Sequence, residues 1–358
     1  MVLVLIAVIF GGYAYLHSHG GKVDLHGLGV GTGPTATGKS ASASDPASAG
    51  PAPAGGAVAA GGTMFVFATG TTSEPLIYKF IDSAHSSIDM TMYELNDTTA
   101  INDLIAKKKA GVDVRVVLDQ KEKSLNTKAY STLTSAGVGV VWSSTTFQYT
   151  HQKTLTVDNR ESLILTGNLT SNYYSETRDF GDVDSDAKDV AAIVSVFDAD
   201  YAHKTTTPSD ADDLLWSPTT AQSRVLSVIN GARKTLDVEG EEFNAPSVVN
   251  AIVARAKAGV AVRVVVESPS QYAASIAKVT GAGGKVVGYS SSKGLYIHAK
   301  TVIADAGLSD QTVEIGSMNY TTNSLTRNRE LGIVLHDSAD CGLVERQFAA
   351  DFAGGAAQ

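Results

Sequence analysis

The sequence predicts an α/β protein of two fused αβ units related by a pseudo-twofold axis, each a mixed sheet flanked by helices, with the functional site between them. Three observations lead there. Ile81 to Asp119 aligns with Ile229 to Glu267 without a gap at an offset of 148 residues, sharing Ile81/Ile229, Ala84/Ala232, Asp89/Asp237, Glu94/Glu242, Asn96/Asn244 and a block AGV-x-VRVV. Each copy reads helix, strand, helix, strand. Residues 63 to 358 number 296, twice that offset.

In the first copy, Glu74 to His85 has a helical apolar pattern and Ser87 to Tyr93 alternates like a strand. Thr98 to Ala110 is amphipathic, and Val112 to Leu118 is a β-branched run suited to a buried strand. Gly111 stands where the second helix must stop. Strands follow at Val138 to Trp142, Thr154 to Val157 and Leu163 to Thr166, then a helix over Ala187 to His203. Their echoes are Lys285 to Gly288, Thr301 to Ala304, Val313 to Gly316 and Ser338 to Phe352. The two units are expected over 63–210 and 211–358.

Composition bounds the rest. With 43% hydrophobic residues in 358, the chain can bury a real core, which excludes disorder throughout. A formal charge of −9 disfavours nucleic-acid binding through a broadly basic surface while leaving room for local basic sites. The single cysteine, Cys341, excludes an intrachain disulfide and a cysteine-rich zinc site.

Residues 1–17 contain an uncharged apolar run, Val2 to Leu16, that as a helix reaches ~22 Å against a ~30 Å hydrocarbon core. Its length suits a signal segment or a short anchor, so the protein is expected to be exported or membrane-anchored and extracytoplasmic. Residues 18–62 follow as a flexible linker, since 34 of the 45 are Gly, Ala, Ser, Thr or Pro and offer too little apolar surface to offset the entropy of ordering. Gly33 to Ser40, GPTATGKS, satisfies the phosphate-loop pattern by letter, but neither flank can form the strand and helix that such a loop requires. It is read as a chance match. Both leading segments are charge-balanced, so the whole −9 belongs to the two units.

Downstream in each copy lies one constellation. His151-Gln152-Lys153 with Asp158 and Gly167-Asn168 is matched by His298-Ala299-Lys300 with Asp305, Gly316-Ser317 and Asn319. The spacing H-x-K-x4-D occurs twice, and residues i and i+2 of a strand share a face, so each histidine projects with its lysine. Facing strands would put two imidazoles and two ammonium groups in one cationic pocket. That is a kit for attack on a phosphodiester: one neutral histidine attacks phosphorus, the other donates to the leaving alkoxide and then deprotonates the incoming water or alcohol. Lysines counter the phosphoryl charge, and Asn168, Ser317 and Asn319 offer hydrogen bonds to substrate. The scheme calls for no metal and no cofactor.

At these residues the chain resembles the phospholipase D superfamily, whose signature is H-x-K-x4-D followed by a Gly-Ser or Gly-Gly-like turn, usually twice. The resemblance implies a phospholipase D-like fold, a central pocket shared by both motifs, a phosphohistidine intermediate and metal-independent turnover. It makes His151 and His298 the nucleophile and acid/base pair, favouring His151 over His298 as the nucleophile, and Lys153 and Lys300 the phosphate ligands. It also implies an orienting acid after each motif, matched by Asp179 in TRDFG and Glu330 in NRELG. The motif aspartates Asp158 and Asp305 are expected to be structural. Asn168 departs from the family's usual Ser or Gly.

The expected function is phospholipase D-type hydrolysis or phosphatidyl transfer at phospholipid head groups, on a membrane surface, with water or an alcohol as acceptor. An endonuclease of the same superfamily is the alternative within enzymes, and a non-catalytic lipid- or phosphate-binding module is the alternative outside them. Both motifs lie in one chain, so a monomer is expected to be active. Phe147, Tyr149, Tyr173, Tyr174, Tyr296 and Tyr320 are read as core before pocket lining, and Lys107 to Lys109 as a solvated helix face.

Overall fold

The computed structural model describes residues 65–67, 73–290 and 294–358. The apolar segment, the linker and GPTATGKS lie outside them. Among the described residues no helix is long and apolar enough to cross a membrane.

The first half runs β1 (Phe65–Phe67), α1 (Glu74–Asp82), β2 (Ser87–Met92), α2 (Thr98–Lys109), β3 (Asp113–Leu118), α3 (Lys123–Ser135), β4 (Gly139–Trp142), β5 (Thr154–Val157), β6 (Glu161–Leu165), β7 (Thr177–Asp184) and α4 (Ala187–Tyr201). The second repeats the plan: β8 (Leu214–Ser217), α5 (Ala221–Gly231), β9 (Thr235–Gly240), α6 (Pro246–Lys257), β10 (Ala261–Glu267), α7 (Ala273–Gly281), β11 (Lys285–Tyr289), β12 (Tyr296–Ile297), β13 (Lys300–Ala304), β14 (Thr312–Gly316), α8 (Thr322–Thr326), β15 (Glu330–Leu335), α9 (Ser338–Gly354) and β16 (Ala356–Ala357). One sheet is ordered β1-β7-β6-β5-β2-β3-β4, the other β16-β11-β10-β9-β13-β14-β15-β8. Both are mixed: β2, β3 and β4 are parallel through helical crossovers, whereas β2, β5, β6 and β7 are antiparallel.

The residues shared by the repeats have a structural reason. Asp89 lies opposite Arg115 on neighbouring parallel strands, and Asp237 lies opposite Arg263. Each arginine grips its aspartate with two hydrogen bonds, at 2.8 and 2.7 Å in the first half and 2.7 and 2.6 Å in the second. Gly111, just past α2, has φ +95°, a conformation that favours glycine, and the following Val112 N–H returns to the Lys107 carbonyl at 3.1 Å. The lysine run ending α2 is partly engaged: Lys107 donates to the Ala84 carbonyl at 3.2 Å, and Lys108 pairs with Asp113 at 3.2 Å.

Three apolar clusters hold the molecule. One packs α1, α2 and α3 on the first sheet through Ile77, Ile81, Leu104, Val116 and Leu133, and a second does the same for α5, α6 and α7 through Val225, Ile252, Val264 and Val279. The third draws on both halves. Ile164 and Phe180 of the first sheet and Ile193 and Val196 of α4 meet Trp216, Ile303, Ile315, Leu331 and Phe348. This joint core fixes the two halves against each other and carries the site at its edge.

Strands β7 and β15 have no counterpart among the strands expected from the sequence, and they carry the joint. The segment before each lysine motif crosses to the other half: β12 pairs in parallel with β7, and Thr150 bridges Arg329. Two buried ion pairs follow the same exchange. Arg178 on β7 binds Asp351 of α9, with Nη2 2.8 Å from Oδ1, and Arg329 beside β15 binds Asp200 of α4, with Nε 2.9 Å from Oδ2.

Candidate active site

Each motif histidine sits where its segment leaves one half and touches the other. The His151 N–H donates to the Arg329 carbonyl at 2.9 Å and the His298 N–H to the Arg178 carbonyl at 3.2 Å. The residues after those arginines are the two predicted orienting acids. They act crosswise: Glu330 of the second half lies 2.8 Å from His151 Nδ1, and Asp179 of the first lies 2.9 Å from His298 Nδ1.

The His151 ring has a fixed tautomer. Its Nδ1 lies 3.1 Å from the Ser317 carbonyl as well as against Glu330. A carbonyl only accepts, so Nδ1 carries the proton and Nε2 is left with its lone pair. Burial, then Lys153 and Lys300, outweigh the pull of Glu330 and push the imidazole down to about 4. At neutral pH the ring is therefore uncharged, which is the nucleophilic form.

Both acids are themselves locked. Glu330 accepts at Oε1 from the Ser324 hydroxyl and from the Asn328 amide at 2.8 Å. Asp179 accepts from the Thr166 hydroxyl at 2.7 Å. Burial opposes their ionisation, but His298 and Lys300 at Asp179, and His151 and Lys153 at Glu330, hold both below the usual carboxylate range. Gly167 is glycine because a Cβ there would lie 2.6 Å from the Asp179 carboxyl carbon.

The lysines are buried at the same place. Lys153 donates to the His151 carbonyl at 2.7 Å and stands 5.0 Å over the Tyr93 ring. Burial and then Lys300 push its ammonium down to about 7. Lys300 donates to the His298 carbonyl and lies 3.1 Å from Glu241.

Other predicted residues fall into two groups. Asn168 and Asn319 each carry a buried amide oxygen without a hydrogen-bond partner among the described residues. The Ser317 hydroxyl instead pairs with the Leu331 backbone at 3.3 Å, so what this residue turns toward His151 is its carbonyl. Asp158 accepts from the backbone N–H groups of His85, Ser86 and Ser87, and Asp305 from those of Arg233, Lys234 and Thr235. Each has positive φ, 55° and 56°, and ties the end of its motif strand to the start of β2 or β9. Of the aromatics, Tyr174 and Tyr320 are buried on Asp97 and Glu314. Phe147 stacks under the Arg329 guanidinium, Tyr149 meets the edge of Tyr93, and Tyr296 donates to Glu241.

The pocket is not simply cationic. Besides Asp179 and Glu330, three carboxylates outside the motifs act on the lysines, and the motif pattern does not reveal them: Glu94, Glu241 and Glu242. Burial and Glu122 push Glu94 up to about 7 against the pull of Lys153, while burial and Glu241 push Glu242 up to about 7 against Lys300. The signal was in the repeat itself, since Glu94 and Glu242 are one of its identical pairs. Among the described residues no group of three His, Cys, Asp or Glu is disposed to hold a metal ion.

Comparison with known proteins follows the same two halves. A family model described as "Cardiolipin synthase, PLD-like domain" matches residues 77–201 and 225–352. Phosphatidylserine synthase from Haemophilus influenzae is similar in fold, with a TM-score of 0.60 at 13% identity over 79% of this chain and 84% of that one. Polyphosphate kinase from Porphyromonas gingivalis gives 0.59 at 15% identity over 77% of this chain, which spans 47% of that protein's length. The phospholipase D family member Nuc from Salmonella typhimurium matches 40% of this chain and 95% of its own, at 25% identity and a TM-score of 0.37. No curated protein matches the chain.

Proposed function

We propose, for a chain that belongs to the phospholipase D-like family described as "Cardiolipin synthase, PLD-like domain", a metal-independent phosphodiesterase acting on phospholipid head groups by hydrolysis or phosphatidyl transfer. The observation that carries the reading is the Nδ1–H of His151, held by Ser317 and Glu330, which leaves Nε2 free to attack. In the first step Nε2 forms a bond to phosphorus and the bond to the head-group oxygen breaks. His298 gives its proton to that oxygen. In the second, water or an alcohol gives a proton to His298 while its oxygen attacks phosphorus, and the N–P bond breaks. Lys153 and Lys300 balance charge on the phosphoryl oxygens, and Asn168 and Asn319 supply further polar contacts. Lipid is favoured over nucleic acid by the acidic charge of the folded units. The apolar 1–17 segment suits an enzyme exported or held at a membrane surface.

The test is head-group release from phosphatidylcholine and phosphatidylglycerol vesicles in EDTA, with and without glycerol or ethanol. Release is expected without metal, with part of the product diverted to the phosphatidyl alcohol. Degradation of plasmid without head-group release would make the protein a nuclease instead. Loss of both activities, with vesicle binding unchanged in His151→Ala and His298→Ala, would make it a binding module.

A further inference from the structure

The two halves differ at one position beside the reacting nitrogens. Glu241 follows β9 where, at the repeat offset, Tyr93 follows β2. In the first half the Tyr93 ring lies edge-on to His151, centroids 4.5 Å apart, with its hydroxyl turned away to Glu122 at 3.0 Å. In the second half a carboxylate takes that place. Glu241 Oε2 is 3.1 Å from Lys300 Nζ and 3.5 Å from His298 Nε2, and the Tyr296 hydroxyl anchors Oε1.

His298 therefore has a carboxylate at each ring nitrogen, Asp179 at Nδ1 and Glu241 at Nε2, whereas among the described residues His151 has one at Nδ1 alone. A ring between two anions favours the form with protons on both nitrogens. We propose that Glu241 is a positioning residue that makes the halves chemically unequal, giving an Nε2 proton of His298 an acceptor beside a tethered Lys300, which the Tyr93 ring does not give His151, and so leaving nucleophilic attack to His151. This rests on the phosphodiesterase reading for its use in turnover, but not for its effect on the ring. The groups facing His298 are Asp179 from β7, Glu241 after β9, Tyr296 from β12 and Lys300 from β13, with Glu242 acting on Lys300.

Glu241→Gln keeps the size and the Tyr296 contact and removes the charge, and Glu241→Asp keeps the charge. In histidine-labelled protein, 15N NMR should follow the imidazolium signal of His298, identified by its loss in His298→Gln. That signal should persist about one to two pH units higher in the native chain than in Glu241→Gln. The alkaline limb of the kcat/KM profile should move down by the same amount, and Glu241→Asp should restore much of it. Equal NMR titrations in the native chain and Glu241→Gln would overturn the proposal, as would an NMR shift with an unchanged pH–rate profile in an active enzyme. An inactive native chain would sink the phosphodiesterase reading, while the NMR comparison would still decide whether Glu241 sets the protonation of His298.

Discussion

His151→Ala is expected to lower kcat by at least about 10^4-fold, because in the proposed mechanism it removes the atom that bonds to phosphorus. His298→Ala behaves differently. It costs about 10^2 to 10^4-fold on a natural head group, whose alkoxide needs a proton to leave. With bis(p-nitrophenyl) phosphate much of the loss in the first step should disappear, since nitrophenolate departs unaided, whereas His151→Ala should stay inactive on both. Steady-state rates on lipid, and the pre-steady-state burst of nitrophenolate from each variant, check this, because without His298 the second step still limits turnover. Equal rescue of both variants would show that the histidines do not divide the work as their hydrogen bonding implies. The neutral His151 ring also requires that activity persist well below pH 6, falling as pH approaches about 4, where that ring gains its proton.

Arg178→Ala destabilises the fold by roughly 3–5 kcal/mol, because it strands the buried Asp351 carboxylate inside the joint between the halves. The backbone of Arg178 also receives the His298 N–H, and the next residue orients that ring, so stability and activity should fall together. Replacing both partners, Arg178→Met with Asp351→Leu, should recover part of the loss, since it removes the stranded carboxylate but takes from buried Glu239 the two groups it interacts with. Urea unfolding of the single and double variants measures it. A single-variant loss under about 1 kcal/mol would mean that Asp351 finds another partner or water.

Much of this was legible in the chain. The repeat at offset 148 marks one adjacent strand pair in each half, because AGV-x-VRVV reads as a buried strand after a helix and lies in both copies beside the strand bearing Asp89 or Asp237. The H-x-K-x4-D spacing pointed to the histidines and lysines that the fold brings together, and the family resemblance pointed to Asp179 and Glu330, whose carboxylates lie against the histidine Nδ1 atoms. Periodicity did not show β7 and β15, since their sequences, TRDFGDVD and ELGIVL, are buried almost throughout and lack alternation. Nor did it show the exchange between halves. That depends on pairings across more than 100 residues, such as Ile297 with Arg178, which no local pattern encodes. Ser317 and Glu241 illustrate the same limit. A hydroxyl next to a motif glycine looks available until β15 claims it, and a glutamate outside the motif looks like surface until the chain brings it onto Lys300.

Double displacement through His151 passes through a covalent adduct that a trapping experiment can isolate. His298→Ala can complete the first step with bis(p-nitrophenyl) phosphate but lacks the base for the second. Quenched in alkali and digested, it should show one nitrophenolate released per chain in a burst and a phosphoryl adduct on the peptide containing His151. Steady turnover without a burst, with no adduct on any histidine or with the adduct elsewhere, would contradict the account.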